Sequence, residues 1–86
     1  MIPQTDVTYG QLDKVLRGFG FARQVFERDG AGVRYEHKET GAMLTLPLFP
    51  DAEHVYDHHL VAARLVLSNF GVADPSAFEA KLRKAG

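Results

Sequence analysis

The stretch Arg28 to Phe49, two strands fed by a glycine-rich loop, constrains the fold more than any other part of the chain. Val33, Tyr35 and His37 alternate with Arg34, Glu36 and Lys38, and Ala42, Leu44, Leu46 and Leu48 alternate with Met43, Thr45 and Pro47. Side chains of a strand point to opposite faces with period two, so each run reads as a strand with one face toward a core. Glu39-Thr40-Gly41 is short and closes the two into a hairpin. Asp29-Gly30-Ala31-Gly32 is a turn by composition. Pro47 cannot donate to a ladder, which puts the last strand at an edge or ends it there.

The preceding segments lead into this hairpin. Met1 to Val7 reads as a lead-in. Thr8-Tyr9-Gly10-Gln11 fits a capping box, and Leu12, Val15, Leu16 and Phe19 follow at one helical face, predicting a helix over Tyr9 to Gly18 with Gly18 and Gly20 as its stop. Phe21 to Glu27 is a further strand whose alternation is poor, because Arg23 shares parity with Phe21 and Val25; a bulge or an edge position accounts for that. Pro50 to Val55 reads as a loop. A helix over His58 to Phe70, capped by Asp57 and stopped by Gly71, carries apolar residues around more than half its circumference and is expected to be largely buried. Asp74 and Pro75 open a last short helix anchored by Phe78 and Leu82.

The expected fold is therefore α+β, in the order α-β-β-β-α-α, a three-stranded antiparallel sheet with helices on one face and the other face open. Eighty-six residues with 45% hydrophobic content suit one small domain spanning 1–86. The chain has no cysteine, no apolar run of membrane-spanning length, and no basic and apolar leader at MIPQTDVTYG. The expectation is a cytoplasmic protein with no membrane partner.

The net charge of −1 hides a strong segregation. Lys14 to Lys38 holds six basic and three acidic residues, Glu39 to Glu79 holds one basic and six acidic residues, and the tail adds Lys81, Arg83 and Lys84. The total excludes a uniformly basic nucleic-acid binder and leaves room for one basic face. Arg34 and Lys38 share the open side of their strand, with Glu36 between them; His37 ends the strand, and Arg23 joins them if its strand pairs alongside. Arg34, His37 and Lys38 are the candidate nucleic-acid-binding residues. The plain alternative is a solvated sheet rim.

Other chemistry is thinly represented. His54 and His58 would share a helix face at i, i+4 if the helix began early, with His59 beside them, but the glutamate of a His-Glu-x-x-His site is absent and no metal site is assigned. No phosphate-binding Gly-x-x-x-x-Gly-Lys loop and no Gly-x-Ser-x-Gly frame occurs, and no cofactor is expected.

From Tyr9 onward the chain resembles the HicA-type (YcfA-like) toxins of bacterial toxin–antitoxin systems. The resemblance lies in the helix ending in a Gly-Phe step (Leu16 to Phe21), the turn Gly30-Ala31-Gly32, the strand Val33 to His37, Leu46-Pro47-Leu48, and the helix His59 to Leu67 running into Phe70-Gly71-Val72. It implies a fold like a double-stranded-RNA-binding domain, RNA as target, and mRNA cleavage as the family's activity. The family's Gly-Ser-His step, whose histidine is catalytic, falls on Gly30, Ala31 and Gly32. The resemblance thus implies an RNA-binding or toxin–antitoxin-type module with lost or altered mRNA interferase activity, partnered by RNA or an antitoxin-like protein. The alternative is a protein-interaction domain, through an antitoxin partner or self-association, without nucleic acid. A ribonuclease acting through His37 is a third reading.

Overall fold

The computed structural model describes residues 4–27 and 31–85. The elements in order are β1 (Gln4–Thr8), α1 (Tyr9–Gly18), β2 (Ala22–Phe26), β3 (Gly32–His37), β4 (Ala42–Pro47), β5 (His54–Tyr56), α2 (Asp57–Asn69) and α3 (Pro75–Ala85). Strands β2-β3-β4 form the expected three-stranded antiparallel sheet. Of the expected turn before β3, Asp29 and Gly30 lie outside the described residues, and Gly32 is the first residue of β3.

The hairpin alternation sets the two faces. Val33, Tyr35, His37, Ala42, Leu44 and Leu46 are buried, while Arg34, Met43, Thr45 and Pro47 are exposed. The buried side meets Leu12, Val15 and Leu16 of α1, Leu60, Ala63 and Leu67 of α2, and Phe78 and Leu82 of α3 in one continuous core. Leu16, Leu67 and Phe78 are fully buried, each contributing roughly 1.5–3 kcal/mol of transfer free energy.

Local chemistry fixes the helix ends. At α1 the Thr8 hydroxyl accepts from the Gln11 amide at 3.2 Å and the Gln11 side chain accepts from the Thr8 amide at 2.7 Å, the reciprocal pair expected from the spacing. Asp74 caps α3 by accepting from the Ala77 amide at 2.8 Å.

Several expectations are corrected. The lead-in contains a strand: β1 pairs antiparallel with β5, which begins inside the expected loop Pro50 to Val55. This ladder is irregular, its register shifting between Gln4 and Thr8, and side chains reinforce it: the Thr5 hydroxyl donates to the Val55 carbonyl at 2.9 Å, and His54 Nδ1 donates to the Thr5 carbonyl at 2.8 Å. Asp57 is not the cap of α2 but its first residue, with Tyr56 at the N-cap position and no side-chain cap bond. Nor is α2 largely buried. Only Leu60, Ala63 and Leu67 are, while Val61, Leu65 and Phe70 are well exposed, because the sheet and α3 meet one side of the helix.

Candidate nucleic-acid interface

Arg34, His37 and Lys38 do not all converge: His37 and Lys38 line one groove with Gly20, Glu36 and Glu39, and Arg34 is not part of it. Arg34 lies on the open face between Gln24 of β2 and Thr45 of β4. Lys38 is in the turn after β3, on the order of 13 Å along the chain from Arg34 at strand spacing. Glu36 stands between them in sequence and supplies a neutralising charge. His37 belongs to the other side. It is 9% exposed, its ring 5.2 Å from that of Phe21, and its Nδ1 is bonded to the Thr40 hydroxyl at 2.9 Å. Its Nε2 faces Gly20, where a Cβ would come within 3.3 Å.

Arg23 does not join the open face either. Its register partner is Tyr35, which places it on the covered side. There the Asp13 carboxylate gathers three donors: the Tyr35 hydroxyl at 2.7 Å, Arg23 Nε at 3.3 Å and the Arg17 guanidinium at 3.1 Å. Burial, reinforced by the Asp13 charge, drives the Tyr35 hydroxyl well above its ordinary range, so it stays protonated as the donor. A guanidinium and a phenol held by one carboxylate form a structural cross-link between α1, β2 and β3.

The cations left untied meet elsewhere. Lys14 on α1 and Lys81 and Lys84 on α3 line one groove with Val15, Gly18 and Ala85. Lys81 and Lys84 are three apart on their helix and so share a side. None of the three lysines takes part in an ion pair among the described residues. The C-terminal dipole of α3 accounts for a cation at Lys84 but not for Lys14, which lies in the middle of α1. The packing of α1 on α3 thus brings together the basic first part of the chain and its basic tail. This grouping has one visible signal in the sequence, the segregation of charge along the chain.

A third polar cluster sits where β5 meets α2. The Tyr9 hydroxyl accepts from the Tyr56 amide at 3.3 Å and pairs with His59 Nδ1 at 2.7 Å. Burial, and then the neighbouring His58, push the His59 imidazole below its usual range. Tyr9 itself is pushed up, mainly by burial. The Phe49 ring stacks on Tyr9 at 4.5 Å. His54 lies on β5 and His58 in the first turn of α2, so the helical i, i+4 spacing that would suit a metal is not formed, and no cluster of three or more ligating side chains occurs among the described residues. Nor is any described helix long and apolar enough to cross a membrane.

The slot that the HicA-type resemblance assigns to a catalytic histidine is Gly32. A Cβ there would lie 2.4 Å from the tip of the Phe26 ring, which covers the glycine from the open face. No protein-family model, curated protein or solved structure matches the chain.

Proposed function

We propose that this chain is a HicA-like module that binds the phosphate backbone of RNA and does not cleave it at the family's usual position. The observation that carries the reading is the groove of Lys14, Lys81 and Lys84 between α1 and α3, three cations untied by any described carboxylate. Ammonium groups bind phosphate as point charges and release condensed counterions, a sequence-independent mode that suits a surface without base-reading aromatic side chains. Phe26 over Gly32 supports the second half of the reading, since the catalytic slot holds an aromatic ring's edge and no imidazole.

The test is a salt titration of a fluorescent single-stranded RNA against the full chain. Three phosphate contacts give a slope of roughly −2 in log affinity against log salt. A slope near zero, or no binding at low salt, overturns the reading. A second reading, a protein-interaction domain for an antitoxin-like partner, is supported by the exposed Val61 and Leu65 on the outer side of α2 and Phe70 at its end. Tight RNA-independent capture of one partner, lost in Leu65→Asp, would favour it.

A further inference from the structure

The three-stranded sheet has two edges, and they are treated differently. The β4 edge ends in Pro47, which has no amide hydrogen to offer, and α2 packs against that strand. The β2 edge carries no proline, no lysine and no glycine from Ala22 to Phe26. Its pairing with β3 runs without a bulge through all five residues. Natural edges are commonly blunted by such devices, and a regular, unprotected edge is a template for a further strand. The one device present is Arg23, turned toward the covered face, but Asp13 holds its Nε and leaves the side chain 36% exposed. Val25 also points to the covered face, opposite buried Val33, yet is 44% exposed, β2 being the end strand of the described sheet.

Pairing β2 with a copy of itself gives each of these residues a partner. In an antiparallel arrangement centred on Val25, the two Val25 side chains meet on the axis. Arg23 of each copy then lies opposite Glu27 of the other, and Gln24 opposite Phe26. The twofold axis is perpendicular to the sheet, so covered face continues into covered face. Glu27 is exposed and forms no ion pair among the described residues, and in this register its carboxylate faces the partner's guanidinium. Centring the pair on Gln24 instead sets Arg23 opposite Val25 and loses the ion pair. The strand is therefore self-complementary in one register.

We propose that the chain forms a homodimer through the free edge of β2, with Val25 on the axis and two Arg23–Glu27 pairs across it. The inference is independent of RNA binding. Sedimentation of the full chain up to about 0.5 mM, which detects a dimer of millimolar or tighter Kd, is expected to show a concentration-dependent dimer. Glu27→Arg and Val25→Lys each place like charges across the axis and are expected to weaken it at least tenfold. Both positions are exposed, and circular dichroism verifies that each variant keeps its fold. Mixing Glu27→Arg with Arg23→Glu restores both ion pairs in the heterodimer alone, so two weakly associating proteins should associate when combined. A wild-type chain that stays monomeric overturns the proposal. So does a dimer unaffected by Glu27→Arg and Val25→Lys, which would place the association on another surface. If Arg23→Glu fails to fold without its Asp13 contact, the two single variants decide the matter.

Discussion

Three arginines and three lysines are used differently in this molecule. Arg17 and Arg23 are tied to Asp13, and Arg64 donates to Glu79 at 2.8 Å, all between elements or along a helix of the scaffold. Lys14, Lys81 and Lys84 have no such partner among the described residues and line a common groove. The planar guanidinium, with several fixed donors, suits a shared carboxylate; the ammonium, a hydrated point charge, suits a site that waits for an anion. The comparison separates charge spent on holding the fold from charge available to a ligand.

Breaking the arginine side of the comparison should cost the most. Asp13→Ala leaves the buried Tyr35 and the Arg23 guanidinium without their acceptor, and urea denaturation should show a loss of about 1–3 kcal/mol. An unchanged midpoint would make the network ornamental. On the lysine side, combined Lys14→Glu, Lys81→Glu and Lys84→Glu should weaken RNA at least tenfold, about 1.4 kcal/mol, while leaving the urea midpoint nearly in place. Arg34→Glu with Lys38→Glu should weaken it less, because those cations are separated and Glu36 intervenes; the reverse order would return the interface to the open sheet face. Tyr35→Phe removes one donor from a carboxylate that keeps two others, and about 1 kcal/mol of stability should go with it.

The smallest expected effect concerns the histidine corner. The folded state holds His59 below the ordinary histidine value of 6.5. The unfolded chain therefore takes up this proton first as pH falls. Stability from this site should be constant above pH 6.5 and decline below it, and His59→Phe should flatten that part of the profile in thermal melts.

Much of this architecture is legible in the sequence, where the signal is local. The Thr8–Gln11 box and the Val33-Tyr35-His37 face depend on neighbours within a few residues, and both stand as read. The poor alternation of β2 also has a local trace, an edge strand whose inward Arg23 is made tolerable by Asp13 ten residues earlier. The β1–β5 ladder has no such trace. Its strands are short, its register is irregular, and its bonds join residues about fifty apart in sequence. The apolar girth of α2 misled for a related reason: periodicity shows which residues are apolar, but not how many neighbours the fold provides, and Leu65 is left with few. Of the candidate site, the parity of His37 with Val33 and Tyr35 already placed it away from Arg34, and the lysine groove required knowing that α1 packs on α3.

Phe26 and Gly32 have a consequence for the mutational paths open to this chain. Gly32→His alone would drive a side chain into the Phe26 ring, and Phe26→Ala alone would uncover an otherwise buried glycine and gain nothing in return. The two positions are coupled, so their effects should be non-additive. An imidazole enters this position either with a joint change at Phe26 or with the Phe26 ring turned aside, since the clashing atoms are the far end of that side chain. The rotamer of the Phe26 ring therefore gates which side chains position 32 accepts.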